Sequence, residues 1–185
     1  SFPTRRSSDL IRQCMAEMDE YVSSCSNEIR MGLPPEPVYI IADGQKLYRV
    51  FENLLVNAIK YSLENTRIYI LVQKKDDEVR LTVKNVSSYE MDFSGEEIVQ
   101  RFVRGEKSRT SEGSGLGLAI AKSFVEVQGG RFSVEVDGDI FRVIVTFKSA
   151  DAADSENSAG IGDLNSSDTE ETDFEHYERH TDEND

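Results

Sequence analysis

Apolar residues along this 185-residue chain recur with two distinct periods. Ile11, Met15, Met18 and Val22 follow spacings of three and four, which predicts a helix over residues 10–24. Residues 28–33 predict a short strand, closed by Pro34, Pro35 and Pro37, and residues 38–42 a buried one. Asp43 then predicts a helix start, because its carboxylate can accept the orphan backbone N–H groups of a first turn. In that helix Leu47, Val50, Phe51, Leu54, Leu55, Ala58 and Ile59 form one continuous apolar face. Asn53, Asn57 and Lys60 fall on a second stripe, roughly a third of a turn away at ~100° per residue.

Beyond Ser62 the period changes to two. Residues 67–74 and 79–85 predict strands joined by a polar Lys-Asp-Asp turn. Val79, Leu81 and Val83 point one way, and Arg80, Thr82 and Lys84 the other. The same parity sends Asn85 inward, where a polar side chain needs a partner. Residues 87–113 are mostly polar and read as a mobile loop, with one short helix around residues 95–101. A further helix is predicted over residues 116–128, with Leu116, Ile120, Phe124 and Val127 along one face and Gly129-Gly130 as its stop. Residues 131–137 and 140–148 predict a hairpin across Asp137-Gly138-Asp139. No internal repeat is visible.

Charge divides the chain sharply. Of the net charge of −14, residues 149–185 carry −12, from thirteen Asp or Glu against one Arg, so the preceding body is nearly neutral. This tail is too poor in aliphatic residues to offset chain entropy by burial, and is expected to be disordered. Cys14 and Cys25 lack the spacing of a metal knuckle, and no stretch approaches the roughly 20 apolar residues that span a bilayer. Residues 1–10, Ser-Phe-Pro-Thr-Arg-Arg-Ser-Ser-Asp-Leu, resemble the translation of a common short-read sequencing adapter and are expected to be non-native. The true upstream sequence would then be cut off.

Two segments carry chemistry. Mg²⁺ takes oxygen ligands and keeps water and substrate phosphates in its shell. Asn53 and Asn57, four apart on one helix face, can supply two amide oxygens, and Lys60 can neutralise a phosphate. These groups could equally serve only to solvate the helix flank. In the run 113–120, Gly113, Gly115 and Gly117 let backbone amides approach an anion, and the following helix directs its positive end at phosphates. A packing turn is the alternative there.

Together, about 60 residues apart with strands and a polar loop between them, these segments resemble the catalytic and ATP-binding domain of sensor histidine kinases, within the GHKL ATPase superfamily. The resemblance covers residues 28–148. It implies an α/β fold, a two-layer sandwich whose mixed, mainly antiparallel sheet carries helices on one face, with ATP between the helices and a lid. Asn53, Asn57, Lys60 and Tyr61 match the Mg²⁺-binding and phosphate-contacting positions of the family's N box. Residues 98–104 look like the F box, with Phe102 its aromatic anchor and Arg104 a phosphate contact. Lys107 and Arg109 fall in the lid, and Gly113, Ser114, Gly115, Leu116, Gly117 and Leu118 match the G2 box. By the same resemblance, residues 11–27 are the end of a preceding helical region.

The G1 box departs from the family. Asn85-Val86-Ser87-Ser88-Tyr89 stands where members carry Asp-x-Gly-x-Gly, whose Asp accepts a bond from the adenine amino group. An Asn oxygen can still accept that bond, without the charge that roughly doubles its strength. Hydrolytic members place a Glu general base at the position of Asn53, and an amide cannot take a proton from water. Glu52 is adjacent but points about 100° around the helix. Transfer to a protein nucleophile fits better. The resemblance implies a His on a dimeric helical bundle upstream, a response regulator as the final acceptor, homodimerisation through that bundle, and a cytoplasmic domain anchored in the bacterial membrane by an upstream segment. No nucleic-acid partner is expected. His176 and His180, the two histidines, lie in the acidic tail and read as solvated residues. Other readings are a nucleotide-sensing pseudokinase, an anti-sigma-type serine kinase and a non-catalytic interaction module.

Overall fold

The computed structural model describes residues 4–88, 97 and 116–151. Its period-two segments build a five-stranded sheet from β2 (Glu28–Gly32), β4 (Arg67–Lys75), β5 (Glu78–Val86), β6 (Arg131–Asp137) and β7 (Ile140–Lys148). The order is β2-β4-β5-β7-β6, with β2 parallel to β4 and every other pairing antiparallel. A separate ribbon pairs β1 (Thr4–Arg6) with β3 (Tyr39–Ile41). The helices are α1 (Ser7–Glu17), α2 (Asp19–Ser24), α3 (Gly44–Tyr61) and α4 (Gly117–Glu126).

Alternation along the strands creates the core. Ile68, Ile70 and Val72 of β4, Val79 and Val83 of β5, and Phe141, Val143, Val145 and Phe147 of β7 are buried against the helices. The continuous apolar face of α3 meets them through Leu47, Val50, Phe51, Leu54, Leu55 and Ala58. Ile11 and Cys14 of α1 join the same cluster. Burial pushes the Cys14 thiol up to about 12, against a hydrogen bond with Tyr48 that pulls it down. On the opposite face of the sheet Arg131 reaches from β6 across β7 to Glu78 of β5, at 2.8 Å. Thr146, beneath this ion pair, is 5 % exposed.

Several expectations need adjustment. The single helix expected over residues 10–24 begins at Ser7 and breaks at Met18, where α2 restarts with Asp19 and Glu20 favourably placed at its positive end. The strand expected over residues 38–42 lies outside the main sheet, and its side chains alternate, with Val38, Ile40 and Ala42 buried and Tyr39 and Ile41 exposed. Of the stripe expected along α4 and its caps, Leu116, Ile120 and Val127 face outward, at 45 %, 41 % and 65 % exposure, whereas Phe124 packs partly buried against the core and Leu118, Ala121 and Val125 are buried. Folded structure also continues past Lys148: the Ser149 N–H donates to the Asp77 carbonyl at 2.7 Å, Ser149 bridges to Ile40, and Asp151 pairs with Lys74 at 2.6 Å. The first three residues of the expected acidic tail therefore belong to the body.

Candidate nucleotide site

Asp43 sets α3 in place. Its carboxylate accepts from the backbone N–H groups of Gln45 and Lys46 at 2.9 and 3.1 Å and pairs with the Lys46 ammonium at 3.2 Å. The Lys46 backbone bond, then its ammonium, hold the Asp43 carboxyl below the usual carboxylate range. The Asp43 backbone N–H in turn donates to Gln128 Oε1 at 2.7 Å, and Gln128 Nε2 donates to the Phe124 carbonyl at 2.6 Å. The start of α3 is thereby fixed to the end of α4. Gly129, at φ +79°, and Gly130 close that end by donating to the carbonyls of Glu126 and Val125, both at 3.0 Å.

A second contact between the two helices joins the two motifs. A Cβ placed on Gly117 would stand 3.2 Å from Asn53 Oδ1. Asp43 and Asn53 are separated by about 15 Å of helix and Gly117 and Gln128 by about 16 Å, so α3 and α4 run antiparallel with matched contacts. Asn53 Nδ2 donates to the Arg49 carbonyl at 2.8 Å, which leaves the amide oxygen facing the start of α4. Asn57, half-buried, follows one turn on. Lys60 is exposed, with its ammonium 5.3 Å from the centre of the Tyr61 ring.

The C-terminal end of α3 is stitched to the end of β5. The Leu63 N–H donates to the Val86 carbonyl at 2.8 Å, and the Ser88 N–H and hydroxyl both donate to the Tyr61 carbonyl, at 2.9 and 3.1 Å. Ser62 and Ser87, bridged to one another, are each 6 % exposed. Asn85 lies beside this seam, 3 % exposed on the inner face of β5 and opposite Phe141 of β7. Its Nδ2 donates to the Val86 carbonyl at 3.4 Å.

The structure thus brings Asn53, Asn57, Lys60, Tyr61, Asn85 and Gly117 to one end of the sandwich. Leu116 is exposed beside Gly117, but Leu118 is 2 % exposed and packs in the core, so its side chain serves packing rather than binding. Phe102, Arg104, Lys107, Arg109, Gly113, Ser114 and Gly115 lie outside the described residues; of the loop expected over 87–113, with its short helix over 95–101, Ser87, Ser88 and Glu97 are described, and Ser87 and Ser88 belong to the seam with α3. A surface depression of about 190 Å³ lined by Gln73, Lys75, Asp76, Asp77, Glu78 and Arg80 sits at the β4–β5 hairpin, at the far end of β5 from Asn85.

Sequence reasoning missed three supports. Arg49 orients Asn53 through its carbonyl and holds Glu52 in an ion pair at 2.9 Å through its guanidinium. Both partners lie within one helical turn, a spacing visible in the sequence. The Ser62–Ser87–Ser88 seam followed the predicted element ends, but long-range pairing decided its partners. Gln128 gave no signal, because its bond to Asp43 spans 85 residues.

The donor set fits a hard cation. Among the described residues no group of three His, Cys, Asp or Glu could hold a metal, whereas the oriented Asn53 oxygen and the neighbouring Asn57 amide offer the oxygen ligands that Mg²⁺ accepts. Two neutral amides bind Mg²⁺ weakly alone, so the set suits a metal that arrives with phosphates.

A family model described as "Histidine kinase-, DNA gyrase B-, and HSP90-like ATPase" matches residues 42–151. The probable sensor protein PcoS of Escherichia coli is 35 % identical over 125 residues, covering 66 % of this chain and 27 % of PcoS. The sensor protein VanS of Enterococcus faecium is 34 % identical over 136 residues, covering 71 % of this chain and 35 % of VanS. The chain therefore spans about a third or less of these relatives. Among solved structures, the nucleotide-free catalytic domain of the histidine kinase ThkA superposes with a TM-score of 0.69 at 23 % identity, over 80 % of this chain and 95 % of that one. ThkA in complex with the response regulator protein TrrA superposes at 0.67 and 22 % identity, over 80 % and 42 %.

Proposed function

Because this chain belongs to the family of histidine kinase-, DNA gyrase B- and HSP90-like ATPases, we propose that it is the module of a sensor histidine kinase that binds Mg-ATP and delivers the γ-phosphoryl group to a histidine. The observation that carries this reading is the approach of Asn53 to Gly117, which brings the amide stripe and the glycine-rich run together. Asn53 and Asn57 would hold Mg²⁺ through their amide oxygens. Neutralisation of phosphate charge is what the metal supplies when bound. Lys60 and Arg104 steady phosphates, backbone amides of residues 113–117 cradle them, and Asn85 reads adenine.

Phosphoryl transfer passes through a loose transition state, so positioning and charge matter more than covalent participation. Hydrolysis needs a base to take a proton from water. Asn53 has no basic atom for this, and Glu52 is committed to Arg49. Transfer to the imidazole of a histidine on an upstream helical bundle, itself a nucleophile, requires no such base. The phosphohistidine would then pass its phosphoryl group to a response regulator, as a complex of that kind exists for ThkA. Homodimerisation and membrane attachment would reside in the upstream region; among the described residues no helix is long and apolar enough to cross a membrane.

Calorimetry with Mg-ATP tests the reading. The full chain should bind, and Asn57→Ala should weaken Mg-dependent binding by about a hundredfold or more without changing the melting temperature. Absence of binding by the wild-type chain would sink the proposal, and so would an unaltered affinity in the variant.

A further inference from the structure

The helices pack on one face of the five-stranded sheet, and strand alternation gives the other face a charge of its own. Register places Arg30, Tyr69, Lys84, Arg142 and Glu135 in one row across all five strands. The next row, Gly32, Leu71, Thr82, Ile144 and Ser133, is uncharged. Beyond it stand Arg80 and Arg131, and then Lys75 and Lys148. With Arg67, and with Glu28, Glu78, Glu135 and Asp137, the face holds eight cations against four anions, a net +4. Residues 1–148 together carry −2, so the rest of that body carries −6. Positive charge is therefore concentrated on this one surface.

We propose that this face is the docking surface for the chain's own acidic tail, through residues 168–178. That segment holds Asp168, Glu170, Glu171, Asp173, Glu175 and Glu178 without a Lys or Arg, and it includes Phe174 and Tyr177. The rows of Lys84 and Arg80 lie four residues apart along β5, about 13 Å, with Leu71 and Ile144 between them. Carboxylates can thus meet both rows while an aromatic ring lies on the apolar strip. Exposed ion pairs are individually weak, so the contact depends on rows of cations acting as a network. Attachment favours it further. Asp151 is held by Lys74 at 2.6 Å, and Lys84 lies five residues along the same ladder, about 17 Å away. Residues 152–167 span up to about 50 Å when extended, enough to reach every row. A tether of that length keeps the segment at a local concentration on the order of millimolar. The rest of the body, at −6, repels the same segment. Another polyanion reaches this face only by displacing the tail.

The chain contains no Trp, so Phe174→Trp puts a single indole into the docking segment of the full chain. Acrylamide should quench its fluorescence about threefold less readily in about 20 mM salt than in about 1 M salt, where screening shortens the reach of each charge to about 3 Å. Glu170→Gln, Glu171→Gln, Asp173→Asn and Glu175→Gln together, a change confined to the tail, should remove that protection at low salt. Arg80→Gln and Lys84→Gln should each lower it, and Lys122→Gln, which removes a cation from α4, should not. Protection should also stay constant from about 1 to about 50 µM protein, as a contact within one chain requires. An indole quenched as readily at low salt as at high salt overturns the proposal. So does an equal loss in Lys122→Gln and Lys84→Gln, or protection that survives removal of the four carboxylates. Protection that grows with protein concentration places the tail on a second copy and overturns docking within one chain. Should Arg80→Gln or Lys84→Gln melt below the parent chain, the tail variant decides.

Discussion

The spacing of one methyl group separates binding from packing at residue 117. A Cβ there would stand 3.2 Å from the Asn53 amide oxygen, closer than a relaxed contact allows. The oxygen must yield, because Asn53 Nδ2 is held by the Arg49 carbonyl on its other side. Alanine is a better helix former than glycine by about 1 kcal/mol, so Gly117→Ala should melt no lower than wild type. Its Mg-dependent nucleotide affinity should nevertheless fall by about tenfold, as outer-shell changes at metal sites do. Thermal melting and calorimetry on the same sample check both halves, and parallel losses would mean that the contact is only packing. Asn53 and Asn57 were legible as residues because their four-residue spacing survives into the fold unchanged. The direction of the Asn53 oxygen was not, since it depends on which carbonyl captures the amide nitrogen.

Elements were legible where one face of a segment was apolar and the other was not. The buried set of α3 follows its periodicity from Leu47 to Ala58, and the inward parity of Asn85 on β5 is the one the strand adopts. In α4 two stripes are apolar, and periodicity cannot rank them. The choice falls to the stripe containing Gly117 and Ala121, because only small residues let the helix approach α3. Exposed Leu116, Ile120 and Val127 are the consequence. The N-cap of α3 has a pH signature. Asp43 is held below its ordinary range by the Lys46 N–H and ammonium, so its stabilisation is complete above the unfolded Asp value of about 3.9 and is lost as pH falls through the lower folded value. Asp43→Ala should therefore melt below wild type at neutral pH, and the difference should close as the solution is acidified through that window. A constant difference at all pH values would mean that the charge plays no part in the cap.

At the scale of the molecule, the limits of the folded body were the hardest to read, because long-range pairing rather than composition sets them. Ser149 looks like the start of an acidic tail, yet it is 1 % exposed and bonded to the β4–β5 turn. A chain ending at Asp151 should keep the melting temperature of the full chain, and one ending at Lys148 should melt lower. Scanning calorimetry of the two separates a boundary at 148 from one at 151. The ribbon beside this boundary has a further consequence. β3 is flanked by β1 on one side and by Ser149 on the other, and it leads through Asp43 into α3. Asn85 is seven residues along β5 from Glu78, about 23 Å away. In mechanical terms the domain is a cantilever. Residues 4–6 and Ser149 are clamped at one strand, so a pull on either is borne there, while the end of β5 that carries Asn85 lies away from both attachments.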